Sequence, residues 1–289
     1  MELSIIGAGR TGRTLGRLAL RAGYSIGAVV CRTASHAREA ASFIGAGRPG
    51  TELRGSELTI VAVPDAAIPS VARSIRMPRG GVMAHTCASL GAEALRPWRP
   101  AGAIHPLRSF GDPAKAADAF AGTACAIDGD PAAVKALEKL ARAIGGEPLR
   151  VKTGRKALYH AGAVFASNYV ISTLEAALRL FERAGVPRRK ATPVLVRLAE
   201  GTLQNVTSVG IPEALTGPIE RGDVETVRRH ARAIFEVTGT WGPNFQLGLL
   251  AIDAAVAKGS IRERDRIGLV AALASLPSDD RRKKAAVRR

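Results

Sequence analysis

The first sixteen residues constrain the fold of this 289-residue chain more than any other stretch. The apolar run 3–6 predicts a short buried strand, and residues 10–22 carry apolar side chains at helical spacing. Between them lies the motif Gly7-Ala8-Gly9-Arg10-Thr11-Gly12. A glycine motif of this spacing, between a strand and a helix, is typical of a dinucleotide-binding turn.

Each glycine of this motif has its own steric role. We expect Gly7 to make the tight turn, Gly9 to leave room for a pyrophosphate, and Gly12 to let the helix pack against the strand. The pyrophosphate would bind N–H groups at the start of the helix, where the dipole favours an anion. We therefore predict that all six residues of the motif contact the cofactor.

The end of the second predicted strand, 25–31, indicates which dinucleotide binds. An Asp or Glu there would hold the ribose 2′-hydroxyl of NAD, but this chain has Arg32 and Thr33. A guanidinium bonds phosphate oxygens bidentately, so Arg32 with Thr33 favours NADP(H). The alternative is that Arg32 is an ordinary solvated side chain.

Composition limits the partners. The net charge of +17 is spread along the chain, and aromatic residues make up only 4%, so we expect a small anionic substrate rather than nucleic acid. We expect neither a membrane span nor a signal peptide, because no apolar run is long enough and the first strand begins almost at Met1. The three cysteines lack paired spacing, which argues against a disulfide framework or a metal site and favours the cytoplasm.

Strand and helix patterns alternate up to residue 152 and then give way to helix patterns alone. We predict an α/β Rossmann domain with a doubly wound, mostly parallel sheet over 1–152 and an all-α domain over 153–277. Residues 278–289 are expected to form a basic, disordered tail. One long helix is predicted over 156–184. The apolar helices favour a homodimer.

Ligands of open α/β sheets bind beyond the carboxyl ends of the strands. Three predicted loops lie there: Val63-Pro64-Asp65, the loop from His85 to Ser89, and the loop from His105 to Phe110. We predict that Val63, Pro64, Asp65 and Ser89 bind the cofactor. Asp65 is also expected to cap the helix that follows it.

The third loop supplies a titratable base in His105, an anion-binding fork in Arg108 and a hydroxyl in Ser109. A histidine bonded to the backbone in a rigid turn is the alternative. We predict that Arg108 and Ser109 bind the substrate, with Arg108 on a carboxylate.

The predicted long helix supplies a second set. At 100° per residue, Lys156, His160 and Ser167 share one face, and Asn168 lies further around. Because such groups are costly to bury, this face should line a cleft beside the cofactor or face solvent. Hydride transfer to a carbonyl needs a proton donor, a role that suits Lys156, His160 or His105. A nearby Arg108 would lower the pKa of Lys156.

A further loop, around Thr216-Gly217-Pro218, is dense in turn residues and ends at Asp223, a predicted helix N-cap. We predict that Thr216, Ser167 and Asn168 contact the substrate.

These motifs carry a resemblance to a known family. They are the glycine motif, His105-Pro106 with Arg108-Ser109, Lys156 with Tyr159-His160 and Ser167-Asn168, and Leu215-Thr216-Gly217-Pro218. In these motifs the chain resembles the Rossmann-like predicted short-subunit dehydrogenases, whose C-terminal domain was long of unknown function. The resemblance places the chain near the 6-phosphogluconate dehydrogenase-like, ketopantoate reductase-like and pyrroline-carboxylate reductase-like proteins.

The resemblance implies an NADP-linked oxidoreductase with a helical dimerising domain. In hydroxyacid dehydrogenases and ketopantoate reductases an Asn follows the catalytic lysine by four residues, whereas His160 follows Lys156 here. In prephenate dehydrogenases a His-Pro similar to His105-Pro106 carries the catalytic histidine. We expect an NADPH-dependent reductase of a small 2-oxo acid, with ketopantoate as the leading substrate. An imine or prephenate-type dehydrogenase and a non-catalytic nucleotide-sensing protein are the alternatives.

Overall fold

The computed structural model describes residues 1–240 and 242–275. The chain divides into two compact units, Met1–Ser167 and a second that begins at Asn168. The first unit is α/β and the second is helical, which confirms the predicted fold class. Residues 153–167 belong to the first unit rather than to the helical part, and the predicted tail over 278–289 lies outside the described residues.

The first unit contains one eight-stranded sheet with the order β3-β2-β1-β4-β5-β6-β7-β8. Every neighbouring pair is parallel except β6 and β7, which are antiparallel, so the predicted mostly parallel sheet is confirmed. The strands are β1 (Glu2–Ile6), β2 (Ser25–Val30), β3 (Arg48–Gly50), β4 (Leu58–Val61), β5 (Val82–His85), β6 (Ala101–Pro106), β7 (Ala124–Gly129) and β8 (Glu147–Arg150).

Helices cover both faces of this sheet. Successive residues Ile5 and Ile6 of β1 enter two separate apolar clusters, as expected for a strand that is buried on both faces. The helices are α1 (Arg10–Arg21), α2 (Ala34–Ile44), α3 (Ile68–Ser74), α4 (Pro113–Asp118), α5 (Pro131–Ala143) and α6 (Lys156–Phe165), with 3-10 turns at Asp65–Ala67 and Ala92–Leu95.

Several short elements differ from the sequence prediction. The glycine- and proline-rich connection after α2 contains the edge strand β3, where Pro49 is tolerated because an edge strand needs fewer ladder hydrogen bonds. The short helix α4 was not predicted either. The prediction that Asp65 caps a helix was wrong: Asp65 is the first residue of the 3-10 turn, and no side chain caps that turn.

The single long helix predicted over 156–184 was also wrong, because α6 ends at Phe165 and α7 begins at Asn168. The Ser167 N–H bonds the Val164 carbonyl, which is a tighter turn than that of an α-helix. The Ser167 hydroxyl donates to the Ala163 carbonyl at 2.7 Å.

The second unit consists of helices. Buried apolar residues of α10, α11 and α12 form one cluster, and those of α7 and α8 form another. No helix in the described ranges is both long and apolar enough to span a membrane. The helices are α7 (Asn168–Arg183), α8 (Arg188–Val209), α9 (Ile211–Ala214), α10 (Val224–Thr238), α11 (Gly242–Lys258) and α12 (Glu263–Leu273).

We predict that Gly12→Ala lowers the free energy of unfolding by about 1–3 kcal/mol. A Cβ at Gly12 would lie 2.5 Å from the Gly7 carbonyl oxygen, so the backbone must move. Gly9→Ala is the matched control, because nothing lies within 4 Å of a Cβ there, and its effect should stay below about 1 kcal/mol. Urea unfolding of the full chain measures both, and equal losses would contradict the prediction.

Candidate active site

The turn after β1 has the steric features that the sequence predicts. Gly7 has a φ of +91°, and a Cβ there would lie 2.6 Å from the Ala62 carbonyl oxygen and from Val63 Cγ1. The space beside Gly9 is open, and Gly9 is the N-cap of α1, which no side chain caps. An open backbone position at the start of a 12-residue helix suits an anion.

Arg13 belongs to this turn, although sequence reasoning missed it. Its Nε donates to the Ala8 carbonyl at 3.0 Å, and its guanidinium lies 3.5 Å from the Glu39 carboxylate of α2. Arg13 therefore ties the glycine turn to α2. Its position is outside the motif, and its acidic partner is distant in sequence.

At the end of β2, the two predicted cofactor residues differ in their surroundings. Arg32 is exposed and makes no hydrogen bond or ion pair with any described residue. The Thr33 hydroxyl accepts the His36 N–H at 3.3 Å as the N-cap of α2. The guanidinium of Arg32 is thus available for an anion, whereas the hydroxyl of Thr33 already has a structural role.

The loops after β4 and β5 hold the remaining predicted cofactor residues. The Val63 side chain lies beside Gly7. The exposed residues Pro64 and Asp65 follow Val63 and lead into the 3-10 turn. The Ser89 hydroxyl lies 3.4 Å from Cys87 Sγ in the loop after β5. The carboxyl ends of β1, β4, β5 and β6 lie at one edge of the sheet because these strands are parallel.

The loop after β6 meets the start of α1. The structure thereby brings the predicted cofactor residues Arg10 and Thr11 next to the predicted substrate residue Ser109. The exposed Arg108 side chain, beside it in sequence, has no hydrogen bond or ion pair within the described chain. A cavity of about 250 Å³ is lined by Arg10, Thr11, Ser109, Phe110 and Gly111.

Three neighbouring strands place ionisable side chains on one face of the sheet. His85 of β5 pairs with Ala103 of β6, and Ala103 pairs with Asp128 of β7. Residues paired in this way point to the same face, so His85 and Asp128 flank the small Ala103 side chain. His105 lies two residues further along β6 on the same face, about 7 Å nearer the carboxyl end of that strand.

Lys156, the first residue of α6, completes this buried group. We call His85, His105, Asp128, Lys156, Tyr159 and His160 the polar cluster. Lys156 Nζ lies 3.8 Å from Asp128 Oδ1, and both side chains are at most 3% exposed. This distance is too long for a hydrogen bond, and neither Lys156 Nζ nor the two Asp128 oxygens have a hydrogen-bond partner in the described chain.

Burial dominates the electrostatics of this pair. It lowers the pKa of Lys156, and the Asp128 carboxylate is the main opposing influence. Burial likewise raises the pKa of Asp128, opposed by the Lys156 charge and by the nearby Ala92 N–H, which does not meet hydrogen-bond geometry with either oxygen. A proton can therefore leave Lys156 more easily than it leaves a solvated lysine.

His85 is a structural member of the polar cluster. Its Nδ1 accepts the Cys87 N–H at 3.2 Å, so its Nε2 carries the proton that it donates to the Gly91 carbonyl at 2.9 Å. Burial lowers its pKa, which keeps the ring neutral. His85 thus holds both ends of the loop that contains Ser89.

His105 and Tyr159 form a hydrogen-bonded pair within the polar cluster, with 2.9 Å between Nδ1 and the phenol oxygen. Burial, together with the charges of Lys156 and His160, lowers the pKa of His105 to about 4. His105 is therefore neutral at physiological pH. The His160 ring lies edge-on to it at 6.4 Å between centroids, and His160 Nδ1 is buried without a hydrogen bond in the described chain. The predicted alternative for His105 was a hydrogen bond from its ring to the backbone. In the structure the ring bonds the Tyr159 hydroxyl instead.

The structure brings Lys156, His160 and His105 together and separates other predicted residues from them. The predicted common face of Lys156, His160 and Ser167 was wrong, since Lys156 is buried and Ser167 is exposed beyond the end of α6. The predicted cause of the Lys156 pKa shift was also wrong, because burial rather than Arg108 lowers it.

Two predicted substrate residues belong to the second unit. Asn168 is the first residue of α7, and Thr216 lies in the loop before α10. The Lys258 ammonium holds this loop by donating to the Leu215 carbonyl at 2.8 Å and to Glu220 at 3.1 Å. The predicted cap at Asp223 is confirmed, because its carboxylate accepts the Thr226 N–H at 3.0 Å.

Sequence reasoning missed Asp128, and it gave no role to Tyr159 or to His85, although His85 begins one of the predicted site loops. Tyr159 was visible three residues after Lys156, which is one helical turn. Asp128 and His85 join the site through strand pairing, for which the sequence carries no local signal.

Two family models match the chain. Residues 1–108 match a Rossmann-like domain, and residues 123–246 match a domain of unknown function, DUF2520. His85 and His105 fall within the first match, and Asp128, Lys156 and Tyr159 fall within the second. The polar cluster therefore draws residues from both matched regions. The comparison with curated proteins found no match.

Solved structures share this fold over nearly their whole length. Protein TM1727 from Thermotoga maritima is 24% identical, with a TM-score of 0.76 over 89% of this chain and 99% of that one. A putative NADP oxidoreductase, BF3122 from Bacteroides fragilis, is 20% identical, with a TM-score of 0.62 over 90% and 98%. The 1-pyrroline-5-carboxylate reductase of Streptococcus pyogenes is 12% identical, with a TM-score of 0.60 over 90% and 99%.

We predict that Lys156→Met destabilises the protein by about 3–5 kcal/mol at neutral pH, because it leaves the buried Asp128 carboxylate uncompensated. The loss should shrink as the pH falls, since the raised pKa of Asp128 lets the carboxyl bind a proton in the folded state. The double variant Lys156→Met with Asp128→Leu should recover most of the stability.

Arg21→Met is the control for this prediction. It breaks the exposed pair between Arg21 and Asp118, at 3.0 Å, and should cost less than about 1 kcal/mol. Urea unfolding between pH 5 and pH 8 measures all four proteins. A pH-independent loss in Lys156→Met would contradict the proposed cause.

Proposed function

We propose that this protein is an NADPH-dependent oxidoreductase that reduces a small 2-oxo acid, with ketopantoate as the leading substrate. The observation that carries the proposal is the occurrence of two complementary features in one Rossmann-like unit. These are an open glycine turn that suits a dinucleotide and a buried lysine that suits proton transfer. The solved structures named above as NADP oxidoreductase and as pyrroline-carboxylate reductase share the fold and support the same class.

The residues present fit NADPH. Gly9 leaves space beside the backbone, and the start of α1 is uncapped. Arg32 follows β2 without a partner in the described chain, which suits the 2′-phosphate that distinguishes NADPH from NADH. Arg10 and Thr11 line the adjoining cavity and complete the phosphate site in this proposal.

NADPH supplies the hydride for such a reduction. The oxygen of the carbonyl then gains negative charge and needs a proton, and the lowered pKa of Lys156 makes its ammonium group the suitable donor. His105 is neutral above about pH 4 and uses Nδ1 for Tyr159, so it orients the substrate rather than supplies a cationic acid. In this proposal Arg108 binds the carboxylate, with Ser109, Ser167, Asn168 and Thr216 as further substrate contacts.

An imine is the second candidate substrate, favoured by the likeness to a reductase that is named for a pyrroline. A protonated imine already carries its proton and does not need Lys156 as a donor. The prephenate-type reaction and a non-catalytic nucleotide sensor remain alternatives, and the latter would bind NADPH without turnover. Free thiols at all three cysteines fit the reducing cytoplasm that we propose as its location.

We expect NADPH to bind at least about tenfold more tightly than NADH, and Arg32→Gln to remove most of this preference by deleting a charge-assisted phosphate contact. Arg79→Gln is the control, because Arg79 is also exposed but precedes β5 at the opposite edge of the sheet. Fluorescence titration of the full chain with each cofactor measures the ratio. Equal binding of both cofactors by the unsubstituted protein would contradict the assignment to NADPH.

We expect Lys156→Ala to lower kcat for 2-oxo acid reduction by about 10²- to 10⁴-fold and to leave NADPH binding nearly unchanged. The reason is that Lys156 donates the proton but lies outside the glycine turn. Steady-state kinetics with ketopantoate and with a cyclic imine, together with NADPH titration, test this. Equal loss of turnover and NADPH binding would contradict the role, and unchanged turnover of the imine alone would favour the second candidate.

We propose that a second copy of the chain covers the helical unit. Ile171 of α7 and Leu198 and Leu203 of α8 are 69%, 66% and 58% exposed, on two helices that pack together, and large exposed apolar side chains of this kind suit an interaction surface. Light scattering should give about twice the 30.2 kDa mass of the chain. A monomer mass at all concentrations would contradict the homodimer.

A further inference from the structure

We propose that Asp128 is a positioning residue, whose carboxylate holds the Lys156 amine as an ammonium group in the place from which it donates its proton. The inference rests on the role of Lys156 in the proposed function. It adds a residue from the antiparallel strand β7, which no sequence motif marks.

Two different groups lie close to the amine. Asp128 Oδ1 lies 3.8 Å from Nζ, and the centroid of the Tyr159 ring lies 5.5 Å from it. A cation within about 6 Å of an aromatic ring is attracted to its face. The Tyr159 hydroxyl in turn bonds His105. The amine is therefore close to a carboxylate and, through Tyr159, is linked to His105, to which we assign substrate orientation.

Asp128 is placed to act through Lys156 rather than on the substrate. On the face that it shares with His105, Asp128 lies two residues further from the carboxyl end of β6, opposite Ala103. Its side chain is 1% exposed. Within the described chain, its one ion-pair partner is Lys156.

Two other acidic side chains of the same unit, Asp112 and Asp130, have clear structural roles. Asp112 accepts N–H groups at the start of α4, and Asp130 accepts the Ala101 N–H and pairs with Arg99. A buried carboxylate kept only for structure would be expected to have such hydrogen bonds. The carboxylate of Asp128 has none in the described chain, so its charge beside Lys156 is its evident contribution.

The ionisable groups around Lys156 come from each element packed against it. Asp128 is the largest influence that favours the ammonium form, and the others are weaker or act against it. The other groups are His85 from β5, Cys87 from the following loop, Glu93 from the 3-10 turn, His105 from β6, and Tyr159 and His160 from α6. Loss of the Asp128 charge should therefore shift the ionisation of Lys156 to lower pH, because burial then acts with less opposition.

The first test measures this ionisation directly and needs no turnover. The full chain is labelled with 13C-lysine, and the Cε signal of Lys156, assigned by its loss in Lys156→Ala, is titrated by NMR. Asp128→Asn should move the midpoint to lower pH, and Asp128→Glu, which keeps the charge, should move it less. Asp118→Asn is the control, since Asp118 is 68% exposed and pairs with Arg21, and should leave it unchanged. An unchanged midpoint in Asp128→Asn would overturn the proposal.

The second test measures the pH profile of kcat with NADPH and the best accepted substrate. The rate needs the ammonium form, so it falls as the pH rises through the Lys156 pKa. In Asp128→Asn this fall should move to lower pH, with a loss in kcat of about 10- to 100-fold and little change in KM, whereas Asp118→Asn should match the unsubstituted protein. A purely structural role would lower the rate without moving the profile.

The two tests separate the proposals. A shifted NMR midpoint in a protein that shows no NADPH-dependent turnover contradicts the proposed function and supports the control of the amine by Asp128. Turnover with the same pH profile in Asp128→Asn overturns the role of Asp128 and supports the proposed function. A shift in both measurements supports both.

Discussion

The burial of Lys156 is the constraint on which the proposed chemistry of the first unit depends. A lone buried ammonium group is very costly, and this one lies beside a buried carboxylate without forming a hydrogen bond to it. Well-packed apolar side chains would fill the same space with a smaller free-energy cost of burial. A pair of this kind is therefore weak evidence for stability and stronger evidence for a function that requires a proton at this place.

The sequence predicts the large elements of the fold because their signals are local. A strand such as β4 is a continuous apolar run, and α5 begins with Pro131 at its first position. The errors concern places where neighbouring hydrogen bonds decide the outcome. The predicted helix over 156–184 keeps its apolar spacing through the break, and the backbone hydrogen bond from Ser167 to Val164 shows where it departs from the α-helical pattern. The edge strand β3 is three residues long and contains a proline.

The same distinction applies to the candidate site. The glycine turn is predictable, since the residues that shape it lie within six positions of one another and each has a steric requirement. The polar cluster is only half predictable. Lys156, His160 and His105 stand out as unusual residues in their elements, but Asp128 joins them through the pairing of β6 with β7. Antiparallel pairing at this point of a mostly parallel sheet sets that register, and no spacing in the sequence encodes it.

The neutral state of His105 argues against this residue as a cationic proton donor. With a pKa of about 4, its ring carries no charge at physiological pH and offers one hydrogen-bond donor and one acceptor. Of Lys156 and His105, Lys156 is then the one that can act as a cationic proton donor, and Asp128 favours its charged form. An arrangement that keeps a cationic acid away from solvent helps a substrate that becomes an oxyanion and offers less to one that is already protonated. For this reason we propose a carbonyl rather than an iminium substrate.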